Sequence, residues 1–259
     1  MTSNASTQAS DLGAPIAEYT RNSGKHALSV LISALLIIAG VAMALGGFFS
    51  SDSPSGSRFL FLSLGLVYAL PGTLWFVSTV RKRDLHVRVF PEGFSYTKGG
   101  KTELVRWDEV ETVRQAITRV QHTFTVRSCT LQLKDGSKYS FNNALRNVGE
   151  LIHTTQREVT PRLLSRLNEQ YRAGQVVRFG KLAISEAGIS HGRKTLPWDQ
   201  VGSASVSKGV VTIRKRGRLL KWASIDVAQI PNFFVFAHMV GTRAPESGDL
   251  TLLAMSVLS

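Results

Sequence analysis

Two long apolar runs near the start of the chain constrain its fold more than any other feature. Ala27 to Phe49 is 23 residues without a charge, and Phe59 to Val80 is 22 more. At 1.5 Å rise per residue, each run reaches about 33–35 Å as a helix, enough to cross a hydrocarbon core of about 30 Å. A helix buried in a soluble core seldom goes so far without a charge, and here two do so in succession. The connecting residues, Ser50 to Arg58, are few and polar. The runs therefore predict a helical hairpin with both chain ends on one side.

Lys and Arg close to membrane spans favour the cytoplasmic face. Arg21 and Lys25 precede the first run; Arg81, Lys82, Arg83 and Arg88 follow the second; the loop holds only Arg58. The expectation is a plasma-membrane protein with two spans, both termini cytoplasmic, and Arg81-Lys82-Arg83 flanking the membrane interface. Ala42-Met43-Ala44 has the small-residue form of a signal-peptidase site, but the 26-residue lead and the full spanning length point to an uncleaved span. Neither run contains a charged residue or a His. The usual mark of an ion or proton pathway is thus missing, and the pair reads as an anchor. Gly40 with Ala44 and Ala42 with Gly46 have the spacing that lets helices approach, a pattern ordinary span composition also produces. Pro71-Gly72 predicts a kink in the second run.

The net charge of +13 is unevenly spread. Residues 1–80 carry three basic and three acidic residues, 81–175 carry 17 and 10, 176–222 carry ten and two, and 223–259 carry one and three. The excess positive charge lies in the part placed beside the inner leaflet, where anionic lipid attracts basic segments. Cys129 is the single cysteine, so no internal disulfide forms; its strand-like setting, Val126 to Leu131, favours a structural role.

The expected organisation is an unstructured lead over 1–24, a two-helix anchor over 25–83 (spans 27–49 and 59–80), β modules over 84–174 and 175–243, and a tail over 244–259. Leu85 to Phe90 alternates and stops at Pro91-Glu92-Gly93. Thr123 to Lys134 turns at Asp135-Gly136 into Ser137 to Phe141, as a hairpin does. Asn147 to Ala173 keeps a helical period through Val148, Leu151, Ile152, Val159, Leu163 and Leu167, with Pro161 predicting a kink or restart. Val210 to Ile213 and Leu219 to Trp222 predict a hairpin about Arg214 to Arg218, and a second helix is expected over about Asp226 to Gly241, with Pro231 in its first turn.

Part of this pattern occurs twice. Gly93-Phe94-Ser95 precedes Lys101-Thr102-Glu103-Leu104 and Trp107-Asp108-Glu109-Val110; Gly188-Ile189-Ser190 precedes Lys194-Thr195-Leu196 and Trp198-Asp199-Gln200-Val201. Short strands followed by one helix, twice over, predict strongly bent antiparallel sheets or partly open barrels, each with a C-terminal helix. The two Trp-Asp-x-Val segments resemble the strand starts of bacterial pleckstrin-homology-like (PH-like) domains. The layout of anchor plus domains also resembles an uncharacterised bacterial membrane family. The likeness covers about residues 84–243. It implies two PH-like domains and a non-catalytic binding or scaffold role, with Trp107, Asp108, Trp198 and Asp199 structural. Phosphoinositide-binding members carry a basic motif in their first hairpin; here that hairpin offers Arg88, Lys98 and Lys101, and the densest basic cluster lies late in the second copy.

That cluster, Arg214, Lys215, Arg216, Arg218 and Lys221 with Trp222, is the candidate binding site. A solvated strand turn, contact with anionic lipid headgroups and contact with nucleic acid are its three readings. Nucleic acid is not expected, because the aromatics are not interleaved as stacking platforms. The expected partners are membrane lipids, anionic ones included, a protein partner or a second copy of the chain. Gly188-Ile189-Ser190-His191-Gly192 matches the G-x-S-x-G pattern of serine hydrolases, which needs a strand-to-helix elbow. Strand residues follow it, so a membrane-bound hydrolase using Ser190 is the alternative rather than the main reading. Histidines 26, 86, 122, 153, 191 and 238 show no ligand spacing, and there is no phosphate loop or dinucleotide fingerprint. No metal, cofactor or catalysis is expected.

Overall fold

A computed structural model describes residues 12–21, 23–49, 55–81, 85–120, 123–218, 220–244 and 247–258. The chain begins with a strand, β1 (Ala17–Thr20), and two long helices, α1 (Ser23–Phe49) and α2 (Ser55–Arg81). Their apolar stretches, Ala27–Gly46 and Phe59–Thr79, are long enough to cross a membrane. Small residues let them pack closely. A Cβ on Gly65 would come within 2.6 Å of the Gly40 carbonyl oxygen, and one on Gly40 within 2.7 Å of Gly65 oxygen. Gly46, by contrast, has nothing within 4 Å of its Cβ position. Pro71 lies inside α2 without ending it.

Four strands follow: β2 (His86–Phe90), β3 (Gly93–Lys98), β4 (Lys101–Arg106) and, after a 3-10 turn at Trp107–Glu109, β5 (Val110–Val120). β1, β2, β3 and β4 form one antiparallel sheet in that order. The lead expected to be unstructured therefore contributes an edge strand. Leu12 and Tyr19 are 3 % and 4 % exposed, and the ladder runs from Ala17 opposite Val89 to Thr20 opposite His86. Burying an aromatic ring contributes about 1.5–3 kcal/mol, and with Leu12 and the β1–β2 ladder it works against the cost of about 1–2 kcal/mol per residue for ordering this segment. The helical hairpin is thus an insertion between two hydrogen-bonded neighbours. The chain leaves the sheet after Thr20 and returns at His86.

β5, β6 (Thr123–Leu133) and β7 (Lys138–Phe141) make a second, three-stranded sheet, and α3 (Val148–Arg172) follows. α3 buries Leu151, Ile152, Thr155, Val159, Leu163 and Leu167, and it continues through Pro161. The order then recurs. β8 (Val177–Phe179), β9 (Leu182–Ser185), β10 (Gly188–His191) and β11 (Lys194–Leu196) form a four-stranded sheet. After the 3-10 turn Trp198–Gln200 come β12 (Val201–Ser207), β13 (Val210–Lys215) and β14 (Lys221–Asp226), again three-stranded, then α4 (Phe233–Gly241). Where the first half inserts its hairpin, the second has only the turn Gly180-Lys181 between β8 and β9.

Matching contacts recur as well. Trp107 Nε1–H donates to the Phe90 carbonyl (3.3 Å) and Trp198 Nε1–H to that of Ser185 (2.9 Å). Gly93 and Gly188 lie where a Cβ would run into the carbonyl oxygens of Val105 and Leu196, so only glycine lets the next strand pass this close.

Two boundaries differ from expectation. α4 starts at Phe233, not near Asp226, because the Asp226 carboxylate accepts the Ala228 N–H (2.8 Å) and closes a 3-10 turn, and Asn232 then takes a left-handed conformation (φ 54°). The tail folds as α5 (Gly248–Leu258), burying Leu250, Leu253, Ala254 and Val257. The Ser247 hydroxyl accepts the Ala204 N–H (2.9 Å) and satisfies that group of β12. Buried residues of both halves form one continuous core.

Candidate functional site

The basic cluster near residue 216 occupies the end of the β13–β14 hairpin, in a different register from the sequence reading. Arg214 and Lys215 belong to β13 and are half-buried; Arg216, Gly217, Arg218 and Leu220 form the described part of the turn, and Lys221 and Trp222 open β14. The strands run longer than expected because Val201 and Ser203 of β12 pair with Lys215 and Arg214 across a bulge. The turn is held by Arg218 N–H donating to the Lys215 carbonyl (3.1 Å), by Arg216 N–H to that of Gln200 (2.8 Å), and by Gly217 at φ 68°. Leu219 lies outside the described residues.

The fold adds residues that the linear cluster did not show. The Trp222 ring meets the His191 ring at 6.2 Å between centroids. His191 ends β10 and leads through Gly192 and Arg193 to Lys194 on β11, while Gly192 N–H donates to the Lys181 carbonyl (3.4 Å). Three turns thus meet at one rim, bringing Lys181, Arg193 and Lys194 toward the 214–222 cluster. Lys181, Arg193 and Lys194 are exposed, and among the described residues none of them forms an ion pair. Asp199 lies beside Gln200, whose carbonyl accepts the Arg216 N–H, in the 3-10 turn. Sequence spacing carried a signal for this in the short β8–β9 and β10–β11 turns, but which turns meet depends on how the sheets cross.

A second basic rim lies at the base of the helical hairpin. Thr20 pairs with His86, His86 with Thr97, and Thr97 with Thr102, forming one row across the first sheet. Lys98 and Lys101 lie one step beyond that row, on the hairpin side. With Lys138, Tyr96, Tyr139 and Glu103 they line a cavity of about 400 Å³. Tyr139 donates to Glu103 Oε2 (2.8 Å), and burial together with this carboxylate raises the phenol above its ordinary range.

The remaining sequence candidates have structural surroundings. Trp107 is 1 % exposed and packs on Phe94 at 5.1 Å between centroids, and Asp108 accepts from Arg106 Nε (3.3 Å). Trp198 is half-buried, with the Arg243 guanidinium 5.8 Å from its ring. Asp199 is exposed in the matching turn. Ser190 lies inside β10, its hydroxyl paired with that of Thr195 (2.9 Å), so the strand-to-helix elbow of a nucleophilic serine is not formed here. Arg81 closes α2, while Lys82 and Arg83 lie outside the described residues. Among the described residues no group of three His, Cys, Asp or Glu side chains is placed to hold a metal ion.

No curated protein matches the sequence significantly. Residues 1–247 match a family of unknown function, and the chain belongs to that family, DUF6585.

Proposed function

We propose that the chain is a membrane-tethered, non-catalytic binding module. In this reading α1 and α2 cross the plasma membrane and both β halves lie on its cytoplasmic side. Each half is a PH-like module of four strands, three strands and a closing helix, the product of an internal duplication. The basic rims dock an anionic lipid surface. The observation that carries this reading is the insertion of the apolar hairpin between β1 and β2. A hairpin hanging from a linker would leave the module free; one entering and leaving through paired strands fixes a rim of the first sheet at the bilayer. The charge asymmetry of the flanks supports this side, since Arg21, Lys25, Arg81, Lys82, Arg83 and Arg88 stand against Arg58 alone in the loop.

The test uses the full chain, because β1 precedes the hairpin and α5 follows the second half. Full-length protein in neutral-lipid nanodiscs is immobilised and offered neutral or phosphatidylserine-containing vesicles. Anionic vesicles are captured in preference, and changing Arg214, Lys215, Arg216 and Arg218 together to Ala weakens capture by about 1 kcal/mol per charge removed. Equal capture of both vesicle types, or capture unchanged in the quadruple variant, rejects lipid docking.

A further inference from the structure

The β13–β14 turn carries an exposed apolar residue among exposed cations. Leu220 is 79 % exposed, more than any other large apolar side chain among the described residues, those of the two spans included. It lies between Arg218 and Lys221, with Arg216 exposed across the turn and the Trp222 ring at its base against His191. The corresponding turn of the first half shows none of this. There Asp135 accepts both the N–H (2.8 Å) and the hydroxyl (3.0 Å) of Ser137, closing a tight polar turn with no apolar side chain at its tip.

We infer that the β13–β14 turn is a bilayer-inserting wedge, with Leu220 entering the headgroup–acyl boundary and Arg216, Arg218 and Lys221 held at the anionic headgroups. The inference rests on the membrane-tethered reading and adds to it a second, reversible attachment. An exposed apolar side chain in a turn that also exposes cations matches the two layers of an anionic leaflet, apolar below and negative above. A purely charged contact is screened beyond about 10 Å at 0.1 M salt, whereas an inserted side chain holds its position. Trp222, with one edge on the protein, stands where the interface favours amphipathic rings.

The test again uses the full chain, in nanodiscs of phosphatidylcholine alone or with added phosphatidylserine. An environment-sensitive dye is placed on Leu220→Cys and, as a control, on Glu186→Cys in the β9–β10 turn. Cys129 is fully buried and does not compete for the label. The expected result is a blue shift, with quenching by acyl-chain spin-labelled lipid, for Leu220→Cys in the anionic discs. The shift is lost when Arg216, Arg218 and Lys221 become Ala, and Glu186→Cys shows none. A water-like signal at position 220 in both lipids, as a protein-docking tip would give, overturns the inference, and so does an equal shift at position 186. In the unlabelled chain, Leu220→Asp lowers anionic-vesicle capture several-fold and Leu220→Phe retains it. Capture unaffected by Leu220→Asp rejects insertion while leaving charge-based docking intact. Loss of all anionic preference in the wild type rejects the broader reading.

Discussion

Asn232, the residue before α4, bonds the backbone of Val113 in β5 in both directions. Its N–H donates to the Val113 carbonyl (2.8 Å) and its side-chain oxygen accepts the Val113 N–H (2.7 Å), while Nδ2 donates to the Glu111 carbonyl (3.2 Å). The edge of the first half's second sheet is thereby completed by the second half. In the second half itself, the matching strand β12 has its Ala204 N–H satisfied by Ser247 ahead of α5.

Asn232→Ala leaves the Val113 N–H without its acceptor and puts a less tolerant residue at positive φ. The expected destabilisation is about 2–4 kcal/mol in denaturant titration. Asn232→Gly relieves the backbone but restores no side-chain bond, so it recovers only part. Full recovery by glycine would show that conformation, not the bond to Val113, matters.

Trp107→Ala costs about 3–5 kcal/mol, the range for a fully buried large aromatic. Trp198→Ala costs less, because Trp198 is half-exposed although its indole bond is the shorter. Thermal unfolding of the two variants side by side checks the order.

In the hairpin, Gly65→Leu drives α1 and α2 apart, since its Cβ position already meets Gly40 and Ala44. The cost is about 1–3 kcal/mol, and interhelical spin-label distances lengthen. Gly46→Leu leaves those distances unchanged, because the Gly46 Cβ position faces open space.

Burial pushes the Cys129 thiol up to about 12. The unfolded thiol titrates near 8.5, so the folded state holds this proton more tightly. Its contribution to stability is fully present below that pH and is lost as pH rises toward the folded value. A thiol reagent at pH 8 therefore modifies Cys129 only on unfolding, and Cys129→Ala flattens the alkaline decline. His238 acts in the opposite range. Burial and Arg243 lower its pKa, so its contribution is present above the unfolded value of about 6.5 and falls as pH drops through the lowered folded value. His238→Gln removes that acid-side slope in pH-dependent denaturation.

Much of the local structure was legible in the sequence. The two apolar helices, the Asp135-Gly136 hairpin, α3 and the paired Trp-Asp turns all follow from residue type and spacing within a short window. The start of α4 was misplaced because Asp226 caps a 3-10 turn instead of a helix, a choice made by one side-chain bond. The rim about Trp222 was half legible: its own strand turn is written in consecutive residues, but Lys181, Arg193 and Lys194 join it only through the crossing of two sheets.

The sequence by itself determined the apolar hairpin, the uneven charge and the strand-rich halves, since periodicity and composition act through neighbouring residues. Only the tertiary structure decided that β1 reaches across the hairpin to β2, that Asn232 joins the halves, and that α5 covers β12. Each of these depends on a free sheet edge whose N–H and C=O groups need partners, and on buried surface such as that of Tyr19. Many polar segments satisfy such an edge equally well in local propensity, and only packing in three dimensions selects the one that does so.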